Sequence, residues 1–354
     1  MHELQLLCLA MTATASRNAT ARSSADKLWH ASRVRAGGVG CGHGIALVHV
    51  GKAGGSSVSK NLRRSCHAWW AERYNNGVCP AAAREMANES EISKRVLAYW
   101  HVHPVPVERY AEFIVMVRNP IERIISIFLA TRPPASILKQ SRSQASTLNR
   151  SGLSELLGSR KPKGPPRNAL LAFQRAFYSC FQTTNEFAEG STSNPAMSTH
   201  PNPNCAELGW RTLRGEIQLG HTHFYFNFGF YARPILAFPT VGIGNCTAKK
   251  IYVIRTEAIW QDWQQINAML GGGRAPVPST HERDGQQSFS HEYNRTVSER
   301  GLVNLCAGLA AEREVYTELI QQAANLGPWE KQLELIALAA MCRGTTSYLI
   351  ENLY

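Results

Sequence analysis

The sequence predicts an α/β fold in which a central, mainly parallel sheet is flanked by helices. Compact runs of strand character stand at Ile45–Val50, Arg95–His103, Phe113–Val117 and Lys250–Ile254. Helical patterns follow at least three of them, as strand–helix alternation requires. A glycine-rich turn, Gly51 to Ser57, joins the first run to its helix. At 354 residues the chain is long enough to bury a sizeable core, and an apolar share of 44% excludes global disorder.

The elements follow in order. IALVHV, residues 45–50, is a strand, and a helix runs from the glycine-rich turn to about Ala71. RVLAYWHVH, residues 95–103, is a second strand, and FIVMV, residues 113–117, is apolar throughout, as a strand buried on both faces should be. Arg118 to Arg132 turns into a helix whose buried stripe is Ile121, Ile124, Ile125 and Phe128. Residues 168–190 read as helix and 191–206 as loop, with Pro195, Pro201 and Pro203. KIYVI, residues 250–254, is the fourth strand, followed by a helix with Ile259, Trp263, Ile266 and Leu270 on one face. After a Gly/Pro/His-rich loop at 271–297, residues 298–325 form one long amphipathic helix with Leu302, Leu305, Leu309, Tyr316, Leu319 and Ile320 inside.

Residues 1–40 read as a leader ahead of one domain, 41–354. Its apolar stretch, Leu4 to Ala13, is too short to span a bilayer. It resembles a signal-peptide core without a basic flank, and a truncated membrane anchor or a poorly defined start codon are the other readings. Apart from Cys8 there are eight cysteines, Cys41, Cys66, Cys79, Cys180, Cys205, Cys246, Cys306 and Cys342, with no CxxC pair. An even, scattered set fits disulfides in an oxidising compartment; buried free thiols are the other reading. Sequons start at Asn18, Asn88, Asn149, Asn245 and Asn294, which is compatible with the secretory pathway.

The net charge of +12 favours an anionic partner. Part of it is concentrated in Arg132–Arg167, which carries eight Lys or Arg residues against one acid, Glu155. This inserted basic loop either holds an acidic polysaccharide or is a solvated lid. Nucleic-acid binding has no motif beyond the charge itself.

Strand, Gly51-Lys52-Ala53-Gly54-Gly55-Ser56-Ser57, helix is an arrangement that binds phosphate. Glycines let the backbone approach, the helix start adds partial positive charge, and Ser56 and Ser57 supply hydroxyls. Lys52 precedes the glycines, whereas a nucleotide triphosphatase loop places its lysine after the last one. A kinase is disfavoured on that order. The second candidate phosphate site is Arg118-Asn119-Pro120-Ile121-Glu122-Arg123-Ile124-Ile125-Ser126. Arg118 closes an apolar strand, Pro120 suits a helix start, and Ser126 sits off the buried stripe. Between the two lies Tyr99-Trp100-His101-Val102-His103. Residues two apart in a strand share a face, so His101 and His103 should point the same way at the carboxyl end of the second strand, where open α/β sheets bind ligands.

HVGKAGGSS, residues 49–57, resembles the 5′-phosphosulfate loop of sulfotransferases that use 3′-phosphoadenylyl sulfate (PAPS), H-x-P-K-T/A-G-G/S-T/S-S, with Gly51 in place of proline. Residues 118–126 resemble the 3′-phosphate site of the same enzymes, R-D-P-x-x-R-x-x-S, with Asn119 in place of aspartate. The order of loop, H-x-H and R-x-P is similar to that of the uronyl 2-O-sulfotransferases of heparan and dermatan sulfate. The resemblance is specific over about residues 45–130 and loose over 250–325, where Arg255-Thr256-Glu257 and Asp262 read as core.

The resemblance implies a P-loop-like three-layer fold and a Golgi-type enzyme of the secretory pathway that moves a sulfuryl group from PAPS to a carbohydrate hydroxyl. It implies that Lys52, Ala53, Gly54, Gly55, Ser56 and Ser57 hold the 5′ side of the donor, and that Arg118 and Ser126 hold its 3′-phosphate. It implies His103 as base, His101 as auxiliary and Lys52 as stabiliser of the leaving oxygen, with no metal. Arg123 is expected in a structural ion pair. Arg274, Ser288, Ser290 and Arg295 are candidates to close over the adenine and 3′-phosphate. A glycan-binding module without catalysis and a small-molecule sulfotransferase are the alternatives. The acceptor sugar and the oligomeric state stay open.

Overall fold

The computed structural model describes residues 44–55, 57–58, 91–133, 167–193, 198–217, 223–237, 249–273 and 295–343. The chain divides into the units Met1–Cys41 and Gly42–Tyr354; every described residue lies in the second. The leader, the asparagines of all five sequons, Cys41, Cys66, Cys79, Cys246, Ser56, residues 134–166 of the basic loop, Arg274, Ser288 and Ser290 lie outside the described residues.

The four apolar runs form the strands β1 (Ile45–His49), β2 (Val96–Trp100), β3 (Glu112–Val117) and β4 (Lys250–Arg255). They make one parallel sheet in the order β2-β1-β3-β4. All of β1, and β3 and β4 beyond their first residues, are buried. Side chains alternate between faces, so both faces of these strands are covered, as the layered fold requires. From β1 the chain passes to β2 on one side and then to β3 on the other. The sheet reverses its winding direction between β1 and β3, and the crevice beyond their carboxyl ends is where such sheets bind ligands.

Helices surround the sheet. In chain order they are α1 (Glu91–Arg95), α2 (Pro120–Thr131), α3 (Arg167–Cys180), α4 (Thr184–Gly190), α5 (Pro203–Leu213) and α6 (Phe228–Leu236). After β4 come α7 (Ile259–Met269), α8 (Glu299–Gly308), α9 (Ala310–Gln322) and α10 (Pro328–Cys342). In α2 the expected stripe of Ile121, Ile124, Ile125 and Phe128 is buried. Asn119 caps this helix through its side chain, which accepts from the Ile121 amide at 3.0 Å. The cap function usual for aspartate is therefore kept.

Four expectations are corrected. Residues 168–190 are two helices, because Thr183 starts a new one by accepting from the Glu186 amide. Residues 298–325 break at Leu309, which ends α8 and begins α9. The second strand stops at Trp100, and residues 101–103 bend away from it. Helix α5 begins at Pro203, inside the stretch 191–206 expected as loop, because Asn202 caps it by accepting from the Asn204 amide and Pro203 suits its first turn; α6 and α10 lie in stretches that the hydrophobic pattern left unassigned.

Among the described residues two disulfides, Cys180–Cys205 and Cys306–Cys342, tie α3 to α5 and α8 to α10. Among the described residues no helix is long and apolar enough to cross a membrane.

Candidate donor and transfer site

The glycine-rich turn leaves β1 directly into the crevice. The Ala53 amide bonds back to the Val50 carbonyl at 3.1 Å, and the Ser57 amide to the Gly54 carbonyl at 3.2 Å. Lys52 has φ 68° and Gly54 φ 77°. A left-handed lysine costs about 1 kcal/mol or more and marks a site that the surrounding structure over-determines. Gly54 meets this backbone demand at no steric cost. Gly51 and Gly55 serve close approach instead. A Cβ on Gly55 would lie 1.9 Å from the His49 ring, and one on Gly51 would lie 2.0 Å from the His223 ring. Two imidazoles therefore flank the turn. Ala53 is buried, and Lys52 and Ser57 are half-buried.

The second site lies beside the first because β1 and β3 are neighbours. Arg118 follows β3 and binds Glu122 at 3.3 Å, and Arg295 reaches the same Glu122 oxygen at 3.1 Å. The structure thus brings Arg295, from the late loop, to Arg118. Ser126 is half-buried on α2. Burial, and next the Arg118 charge, hold the Lys52 ammonium below its ordinary range. Two like charges converging at the mouth of one crevice are the complement of a polyanion.

Arg123, from α2, reaches under the glycine-rich turn. It is wholly buried and pairs with Glu312, Nη2 lying 2.5 Å and Nε 2.7 Å from Oε1. Its Nη1 donates to the carbonyls of Gly51 (3.3 Å) and His223 (3.0 Å). The expected structural ion pair is present, and it also anchors the phosphate turn. Arg255, at the end of β4, makes a second buried pair with Asp262 at 2.6 Å, and Thr256 donates to the Val117 carbonyl at 2.9 Å.

The histidine segment departs from an extended strand. Val102 has φ 58°, a left-handed conformation that is a genuine outlier for a β-branched residue. Its amide donates to the Tyr231 hydroxyl at 2.6 Å. The bend breaks the alternation, so the shared face expected of His101 and His103 does not form. His103 is exposed. The His101 ring stacks on His49 at 4.2 Å and lies 5.4 Å from the His223 ring. His101 Nδ1 lies 2.9 Å from the His49 carbonyl. A carbonyl only accepts, so Nδ1 carries the proton and Nε2 is the basic nitrogen of the neutral ring.

His49, whose Nδ1 bonds the Tyr99 hydroxyl, sits at the centre. Burial, with the charges of His101, His223 and Lys52, drives it well below its ordinary 6.5, so it stays neutral. Sequence reasoning missed His49 and His223 as site residues. His49 opens the quoted loop motif, but nothing local in the sequence marks His223. Among the described residues no cluster of three or more His, Cys, Asp or Glu is placed to hold a metal ion.

Residues 41–186 match the family model described as Sulfotransferase family. The matched segment contains the phosphate turn, the histidine segment, Arg118 and Ser126, whereas His223, Arg255, Arg295 and Glu312 lie beyond it. No curated protein and no solved structure matches the chain.

Proposed function

We propose that this chain is a PAPS-dependent sulfotransferase acting on a hydroxyl of a carbohydrate. The observation that carries the reading is the pairing of two cationic sites across one crevice. The Lys52 turn follows β1 and Arg118 follows the adjacent β3, and burial, with the Arg118 charge next, holds the Lys52 ammonium below its ordinary range, a strain that an anion between them relieves. The match of residues 41–186 to the sulfotransferase model supports it.

The residues fit a donor with two separated phosphates. For the 5′ side the turn offers the backbone N–H groups of Gly54 and Gly55, with the Ser57 hydroxyl at the start of the helix. Arg118 and Ser126, with Arg295 brought alongside through Glu122, take the 3′-phosphate. PAPS supplies the sulfuryl group, activated by its anhydride bond to phosphate. The acceptor oxygen forms the new S–O bond as the bond to the phosphate oxygen breaks. A histidine takes the hydroxyl proton, and Lys52 stabilises charge on the departing oxygen. The products are a sulfate ester and 3′,5′-ADP.

The resemblance assigns the proton to His103. The geometry favours a second reading, in which His101 takes it, because its Nδ1–H is held by the His49 carbonyl beside the phosphate turn. A carbohydrate acceptor follows the resemblance to uronyl 2-O-sulfotransferases and the surplus of basic residues. Passage through the secretory pathway, with a Golgi lumenal site, is in keeping with the two disulfides. The test is transfer from labelled PAPS to a panel of glycan classes. Label on a sugar, lost in Lys52→Ala and in one of His101→Ala or His103→Ala, supports the reading and picks the base. Turnover that survives Lys52→Ala and both histidine variants contradicts it.

A further inference from the structure

Gly51 stands where the resembled motif has proline, and the structure supplies a physical cause. A Cβ on Gly51 would lie 2.0 Å from Nδ1 and 2.5 Å from Cγ of His223. No larger residue can coexist with that imidazole unless the ring or the backbone moves. His223 comes from the turn ahead of α6, outside the segment that matches the sulfotransferase model. One buried guanidinium clips its backbone to the phosphate turn, since Arg123 Nη1 donates to both the Gly51 and the His223 carbonyls. The ring therefore sits on the residue just before Lys52. On its other side it lies 5.4 Å from the His101 ring.

In the reading above, Lys52 marks the oxygen that leaves and the 101–103 segment marks the acceptor. The group in transit passes between them, and its non-bridging oxygens require donors there. We propose that His223 is a third imidazole of the transfer site, a binding residue that donates to the sulfuryl oxygens of the donor, and that Gly51 is small in order to admit it. This inference rests on the PAPS reading and adds to it a residue that the family motifs do not contain.

The test compares PAPS with 3′,5′-ADP, which lacks only the sulfuryl group, by calorimetric titration without acceptor. His223→Leu keeps the bulk of the ring and removes its N–H, whereas His223→Gln keeps an N–H donor. The expected result for His223→Leu is a fall on the order of tenfold in PAPS affinity, with 3′,5′-ADP affinity within about twofold of wild type. His223→Gln should retain most of the PAPS affinity. Gly51→Ala should lose PAPS binding; Gly51→Ala/His223→Ala should regain binding of 3′,5′-ADP but not the wild-type ratio of the two affinities. Equal weakening of both ligands, no change in either, or unfolding of both His223 variants would make His223 a packing residue and overturn the proposal, leaving the donor reading intact. Failure of the wild-type protein to bind either ligand overturns the donor reading itself.

Discussion

Replacing Arg123 with methionine removes the one guanidinium that joins Glu312, the Gly51 carbonyl and the His223 carbonyl. Both members of the ion pair are buried, so truncating one strands the other; the usual cost is about 3–5 kcal/mol. Two carbonyls also lose their donor, at about 1 kcal/mol each or more. Part of this is recovered because Glu312 can take up a proton. Burial already pushes its carboxyl above the ordinary range despite the attraction of Arg123, and without Arg123 it rises further. The expected net loss is about 4 kcal/mol, a large share of the roughly 5–15 kcal/mol typical of a folded domain. Arg123→Met/Glu312→Leu leaves no stranded charge and should recover about half of that loss. It should not recover 3′,5′-ADP binding, because the phosphate turn and His223 remain unclipped. Urea denaturation and ligand titration on the same samples separate the two effects. A single variant within about 1 kcal/mol of wild type, or a double variant whose binding recovers in step with its stability, would refute the reasoning.

Three further predictions follow from the same geometry. His49 is held neutral below its ordinary 6.5, chiefly by burial, so the unfolded chain binds a proton that the folded chain refuses. Stability should therefore fall as pH drops below about 6.5, by up to about 1.4 kcal/mol per pH unit from this group. Urea midpoints across pH 5–7.5 should show a shallower slope in His49→Gln; an unchanged slope would remove His49 as the cause. Gly55→Ala forces a Cβ into the His49 ring and Gly54→Ala imposes an alanine at φ 77°, so each should lower the melting temperature and weaken 3′,5′-ADP binding, with Gly271→Ala, at φ 86° and no neighbour within 4 Å, sparing the binding. Finally, the Cys306–Cys342 bridge spans a sequence separation of 36, for which chain-entropy reasoning gives about 4 kcal/mol; Cys306→Ser/Cys342→Ser should approach that loss in urea, and a loss under about 1 kcal/mol would count against the bridge.

The parts of this fold that were legible in the sequence were those encoded locally. Four short apolar runs became the four strands because a strand buried on both faces has no room for polar residues. The positions of the glycine-rich turn and of Arg118 at strand ends were legible because each follows directly on such a run. The neighbouring placement of β1 and β3 then brings them together. What was hidden depends on distant residues. His223 reaches the turn through Arg123, whose charge is balanced by Glu312 from α9. No spacing rule links these three. The bend at Val102 was also hidden, because valine resists that conformation and the Tyr231 hydroxyl that accepts from its amide comes from a distant helix. Hence the strand pattern carried through to His103, whereas the chain turns at His101. The break at Leu309 escaped for a different reason: both halves of the helix keep an apolar face, so the pattern runs on through the interruption.

The central claim is that the crevice reads a nucleotide carrying phosphate at both its 5′ and 3′ positions. Calorimetric titration of the wild-type protein with 3′,5′-ADP and with 5′-AMP tests it most directly. The account predicts that 3′,5′-ADP binds at least about tenfold more tightly, and that Arg118→Ala brings the two together by weakening 3′,5′-ADP alone. Equal affinity for the two nucleotides, or a preference that survives Arg118→Ala, would contradict it.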